Sequence, residues 1–182
     1  MKKITKFFLC GAWLVFILTS VSEVKADWQR DNVGWWYLRT DGSYYKNVGA
    51  KINGKWYKFD ERGYMITGWH LLEYFGDMGE KITSWYYFDP VNGDQKFGWQ
   101  NIDGKWYYFA ENMVRGSHLI DGKTYYFDLV NGDMKTGWFE LNGSKYYADP
   151  NDGGALALEK TLLIDGVSYT FGSNGSLINN QP

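Results

Sequence analysis

The sequence predicts an all-β protein built as a solenoid of stacked β-hairpins, and three observations carry that prediction. An aromatic segment of the type Trp-Tyr-Tyr-Phe recurs, with starts at Trp35, Trp56, Trp85, Trp106, Thr124, Lys145 and Ser168. The starts are spaced by about 20 residues, and a unit of that size is too small to hold its own core, so it must bury its apolar face on its neighbours. Turn dipeptides bearing glycine punctuate the aromatic segments, and the best-preserved copy, Gly98 to Gly116, fits no helical period.

Taken in order, residues 1–26 have the three parts of a secretory signal. Lys2, Lys3 and Lys6 precede an apolar run from Phe7 to Leu18, and Val24-Lys25-Ala26 forms a small-residue cleavage site, so the mature chain is expected to start at Asp27. The apolar run is too short to cross a bilayer comfortably, and no membrane span is expected in the mature chain. Cys10 is the single cysteine and lies in this leader, where Phe8 and Leu9 replace the small residues a lipoprotein needs. Disulfides and thiolate metal sites are thereby excluded from the mature chain. Removing Lys2, Lys3, Lys6, Lys25 and Glu23 leaves 19 − 4 basic and 21 − 1 acidic residues, a net charge of −5. That balance argues against nucleic acid and favours a cationic ligand.

Residues 27–182 read as one array of about seven repeats. In the best copy, Trp99 to Ile102 is a strand, Asp103-Gly104 supplies positive φ for a two-residue turn, and Trp106-Tyr107-Tyr108-Phe109 is the return strand. Alternation puts Trp106 and Tyr108 on one face and Tyr107 and Phe109 on the other, with the second pair read as core. The segment His70 to Ser84 lengthens one repeat and is expected to bulge as a longer hairpin or loop. From Thr124 onward the first strand aromatic is lost, to Thr124, Lys145 and Ser168, as in the diverged terminal units of solenoids.

Catalytic and metal chemistry find little footing. His70 and His118 are the only histidines and stand in no motif, and most carboxylates sit in Asp-Gly or Asn-Gly turns, so no enzyme, metal or cofactor is expected. The runs Asp89 to Asp94 and Asp128 to Asp133 resemble calcium loops but lack the longer ligand spacing and a terminal Glu. Tryptophan is the outstanding feature. It follows a linking Gly at Trp69, Trp99 and Trp138 and starts the strand at Trp35, Trp56, Trp85 and Trp106, and Trp edges meeting between hairpins would form a cage.

These residues resemble the choline-binding, or cell-wall-binding, repeats of Gram-positive surface proteins. The resemblance rests on Gly98-Trp99, Gly104-Lys105-Trp106-Tyr107-Tyr108-Phe109, Gly132-Asp133-Met134 and Thr136-Gly137-Trp138, and it extends from about Asp27 to Leu177. It implies a superhelix of stacked hairpins that holds choline of cell-wall teichoic or lipoteichoic acid in cages of two Trp, a Tyr and often a Met. Carried onto this chain, the first set is Trp85, Trp99 and Trp106, with Tyr108 and Tyr126 as candidate third walls and Met113 as a floor. A second set is Trp56 and Trp69 with Tyr87. Both assemblies, two Trp from one repeat or two across a boundary, stay open. Gly49, Ser117 and Thr161 replace the linker Trp, so the C-terminal half is expected to hold few cages or none. The implied protein is secreted, noncatalytic and attached noncovalently to the bacterial wall. The alternatives are a glucan- or other carbohydrate-polymer-binding module, or a regulator of a wall hydrolase.

Overall fold

The computed structural model describes residues 25–181. The expected leader therefore lies, apart from Lys25 and Ala26, outside the described residues.

Seven antiparallel sheets follow one another along the chain. The hairpins are β1 (Asp27–Arg30) with β2 (Trp35–Leu38), β3 (Gly49–Ile52) with β4 (Lys55–Lys58), and β5 (Gly68–Phe75) with β6 (Lys81–Phe88). They continue as β7 (Gly98–Ile102) with β8 (Lys105–Phe109), then β9 (Gly116–Ile120) with β10 (Lys123–Phe127). In the sixth, β11 (Gly137–Leu141) and β12 (Ser144–Asp149) gain the short β13 (Ala155–Leu156). In the seventh, β14 (Lys160–Ile164) and β15 (Val167–Phe171) gain β16 (Leu177–Gln181). Among the described residues the only helical element is the 3-10 turn Pro150–Asp152.

The tight turns follow from their dipeptides. Asp103 and Gly104 have φ of 52° and 79°, the two positive values of a type I′ turn, whose twist matches that of the strands it joins. The pattern returns at Asn53-Gly54, Asp121-Gly122, Asn142-Gly143 and Asp165-Gly166. The segment from His70 to Ser84 forms no irregular loop. It prolongs β5 and β6, whose register runs from Gly68 opposite Phe88 out to Phe75 opposite Lys81.

The two runs resembling calcium loops are turns closed on their own backbone. Asp89 Oδ1 accepts from the amides of Val91 and Asn92 at 2.9 and 2.8 Å, and Asp128 Oδ1 does the same for Val130 and Asn131. Their remaining oxygens pair with Lys96 and Lys135. The hydrogen bond from Lys96 and those turn amides lower the Asp89 pKa to about 2, and Lys135 acts likewise on Asp128.

Packing arises from the two faces of each hairpin. In the fourth, Trp99 lies opposite Tyr108 and Asn101 opposite Trp106, so Trp99, Trp106 and Tyr108 share one face. That face meets Tyr125 and Phe127 of the following hairpin, while Phe109 on the opposite face meets Trp69 and Tyr87 of the preceding one. The strand-end residues Phe59, Phe88, Phe109, Phe127 and Phe171 are the largest fully buried side chains and form the spine of the stack. Each stabilises the array by about 1.5–3 kcal/mol through burial. Backbone bonds stitch adjacent hairpins. The amides of Met65, Gln95, Met113 and Met134 donate to the carbonyls of Trp35, Trp56, Trp85 and Trp106, each one hairpin back.

Candidate ligand site between adjacent hairpins

The stitch and the register together build a repeated cavity. In the third hairpin, Trp69 and Trp85 stand edge to face with ring centroids 6.3 Å apart, and Tyr107 of the fourth hairpin approaches Trp69 at 5.0 Å. The bond from the Met113 amide to the Trp85 carbonyl, 2.8 Å, brings Met113 beneath them. These four side chains, with Lys105, Val130 and Asn131, line a cavity of about 430 Å³. A third hairpin closes the floor. A Cβ on Gly132, which follows Asn131, would lie 2.4 Å from Met113 Sδ, so glycine is required there for the turn to pack on the methionine.

The arrangement recurs one hairpin on. Trp99 and Trp106 stand 6.4 Å apart at 82°, Tyr125 is 4.8 Å from Trp99, and Met134 and Gly153 complete a cavity of about 390 Å³. It also occurs at the start of the array, where Trp28 and Trp35 meet Tyr57 and Met65 around about 590 Å³. Arg30 lies over the Trp35 ring at 5.4 Å and lines this first cavity.

Three aromatic faces and a polarizable thioether, open to solvent, suit a soft cation of low hydration, which the ring quadrupoles attract without a counter-ion. The lysines at the lips are neutralised. Lys105 lies 3.5 Å from Asp133 and Lys55 3.4 Å from Asp94, and each of those carboxylates also buries an Oδ1 without a hydrogen-bond partner. Burial raises the pKa of Tyr107, as does the Asp133 charge, so this wall stays a neutral phenol.

The structure brings some of the sequence-selected residues together and separates others. Trp69 joins Trp85, and Trp99 joins Trp106, so each Trp pair comes from one repeat. Met113 lies under the first pair. Tyr87 and Tyr108 pack on Trp69 and Trp99 at 5.0 and 5.2 Å as cross-strand partners, supporting those rings within their own hairpins. Tyr126 is buried against Phe139, Ala148 and Leu156, in the interface between the fifth and sixth hairpins. Trp56 stands exposed, as Trp35 and Trp106 do, but has Gly49 at the linker position and Gln95 where the three units with cages have Met65, Met113 and Met134. Sequence reasoning missed Trp28, Trp35, Tyr57, Met65, Tyr125 and Met134 as cavity residues, whereas Tyr107, read as core, is buried as expected and also lines the cavity. The alternation that put Tyr107 on the face opposite Trp106 was the available signal, since that face meets the preceding hairpin's Trp pair.

Comparison with known proteins bears on what such cavities belong to. A family model described as choline-binding repeat matches residues 114–157, and one described as cell wall binding repeat matches residues 50–65 and 98–112. The crystal structure of choline binding protein F from Streptococcus pneumoniae matches 86% of this chain with a TM-score of 0.71 and 40% identity. The chain carries repeats of the choline-binding family. Other relatives are larger proteins matched in part. The lysin of Pneumococcus phage Dp-1 is 38% identical over 61 residues, 30% of this chain and 21% of its own length. Glucosyltransferase-S of Streptococcus mutans is 36% identical over 103 residues, 47% of this chain and 7% of its own. The chain spans about half the length of choline binding protein F, 49%, and smaller shares of these two. The similarity is thus to a binding module built of choline-binding repeats.

Proposed function

We propose that this chain is a secreted, noncatalytic protein that attaches to the bacterial wall by holding choline of teichoic or lipoteichoic acid in three cages. They are Trp28, Trp35, Tyr57 and Met65; Trp69, Trp85, Tyr107 and Met113; and Trp99, Trp106, Tyr125 and Met134. The observation that carries the reading is the threefold recurrence of two Trp, one Tyr and one Met around an open cavity, which packing alone does not require. Under this reading residues 1–26 are a leader removed on export and residues 27–182 are the binding array. Each cation–π contact contributes about 0.5–2 kcal/mol, so single cages bind weakly and retention rests on several at once.

The likeness to Glucosyltransferase-S favours a second reading, a glucan-binding module, because sugar rings also stack on aromatic faces. Binding to choline-substituted resin separates the two. Retention followed by release with free choline is expected. Passage through that resin, or retention on dextran with release by dextran alone, overturns the choline reading.

A further inference from the structure

Another cavity, on the face of the first hairpin turned away from its Trp pair, keeps the register of a cage while its side chains are changed. Trp36 pairs with Gln29 and lies on the face opposite Trp28 and Trp35, at the wall position held in the cages by Tyr57, Tyr107 and Tyr125. Tyr44 bridges Leu38 as Met65, Met113 and Met134 bridge Phe59, Phe109 and Phe127, so a phenol stands where the cages have a thioether floor. Gly63 packs on it as Gly93, Gly132 and Gly154 pack on those methionines, and a Cβ there would lie 2.6 Å from the Tyr44 ring. Arg62 takes the rim position of Asn92 and Asn131, and Tyr64 the place of Asp94 and Asp133. With Asp31 of the first turn, these side chains line about 250 Å³.

The group is held in place. Trp36 and Tyr44 meet edge to face with centroids 5.7 Å apart at 67°. Tyr64 donates its hydroxyl to Asp31 Oδ2 at 2.8 Å, and the amides of Val33 and Gly34 donate to Asp31 Oδ1 at 2.8 and 3.0 Å. Arg62 lies over the Tyr64 ring at 5.4 Å. Asp31 Oδ2 keeps a lone pair for a further donor, and Arg62, its side chain 71% exposed, has N–H groups beyond those that face Asp60.

We infer that this cavity binds a pyranose ring of a neutral polysaccharide, its apolar face on Trp36, with one hydroxyl donating to Asp31 and another accepting from Arg62. The site goes beyond the choline cages and does not depend on them. A bare quaternary ammonium gains nothing from Arg62 and has no hydrogen-bonding group for Asp31 to meet. A sugar ring offers an apolar face to the aromatic pair and hydroxyls that both donate and accept, matching a fixed acceptor and a fixed donor on one rim. The exchange of a thioether floor for a phenol and of a rim amide for a guanidinium moves the cavity in the same direction, away from a soft cation.

The test follows the Trp36 indole resonance of the mature chain by NMR, assigned by its absence from Trp36→Phe. Titrations use triacetylchitotriose, isomaltotriose and choline, the two trisaccharides separating a wall-type glycan from a glucan as the source of the ring. Trp36 is expected to respond to at least one trisaccharide at millimolar concentration and not to choline. Arg62→Met and Asp31→Asn should each weaken the sugar response about tenfold, with unchanged Trp69 and Trp99 resonances verifying the fold. The proposed site is overturned if Trp36 ignores both sugars, if it answers choline as strongly, or if its sugar response survives both substitutions. Choline responses at Trp69 and Trp99 in any of those cases leave the cages standing. Sugar responses confined to Trp36, with no choline response anywhere, keep this site and sink the cages. Sugar responses as strong at Trp69 and Trp99 as at Trp36 overturn the separate site and favour the glucan reading. One millimolar site does not hold the chain on dextran, so retention there still reports on the cages.

Discussion

Gly132 shows how single atoms set a cage. Its φ of 76° is one that L side chains rarely adopt, and any Cβ would strike Met113 Cε and Sδ at 2.4 Å. Gly132→Ala should therefore cost about 1–3 kcal/mol in thermal unfolding and displace Met113 from the Trp69–Trp85 cage. The tryptophans sort by the same logic. Trp85→Ala should weaken choline binding by about 1–3 kcal/mol at its cage, read by titration calorimetry. Trp56→Ala should leave choline binding unchanged, since Gly49 and Gln95 stand where a second Trp and a Met would be. Equal losses in the two variants would show that these rings act through the stack and not through cages. Charge enters at Asp89 and Asp128, whose pKa values are lowered in the fold, chiefly by Lys96 and Lys135. Groups so depressed stabilise the fold fully above the ordinary carboxylate pKa and lose that contribution as pH falls through the folded value. Melting temperature should drop from about pH 4 to pH 2, and Asp128→Asn should blunt the drop.

At the scale of the hairpin, the turn dipeptides and aromatic alternation made the element itself legible. Asp103-Gly104 specifies its turn, and the buried Phe109 follows from the phase of its strand. Alternation says which residues share a face, but not which neighbour that face meets. The resemblance places Met113 as a floor for Trp85, Trp99 and Trp106 together, without saying which of them it meets. The Met113 amide bonds to Trp85, one hairpin back, and that stitch between distant residues leaves no mark in local sequence. Trp28 and Trp35 escaped for a related reason: the connection Asp31 to Gly34, like that of the third hairpin, lacks the Asp-Gly or Asn-Gly dipeptide of the second and the fourth to seventh hairpins, although Trp28 pairs with Tyr37 as Trp99 does with Tyr108. The long third hairpin gives a test of what an element must keep. Leu72 pairs with Ser84 just outside the Leu71–Trp85 pair, as Ile102 pairs with Lys105 outside Asn101–Trp106. Replacing residues 73–83 by Asn-Gly should preserve the register and the cage. Unchanged choline elution is the expected outcome, and loss of retention in a folded variant would assign the protruding strands a part in binding.

For the whole molecule, stacking makes stability and binding local while retention is collective. Each hairpin packs on its neighbours through Trp, Tyr and Phe contacts that recur at nearly the same distances, so damage at one interface need not spread along the array. Three weak cages on one rigid stack face a polymer that carries many choline groups, and the second engagement is then governed by effective concentration instead of bulk concentration. Trp35→Ala, Trp85→Ala and Trp106→Ala singly should each lower the choline concentration needed for elution from resin by a modest factor. The triple variant should fail to bind, with a loss in retention far beyond that seen for any one cage in solution with monomeric choline. Monomeric choline lacks linked sites, so its binding to the remaining cages in each single variant should match wild type site for site. If the triple variant remains folded and is still retained, attachment runs through a surface other than these cages, and the collective account of wall binding fails.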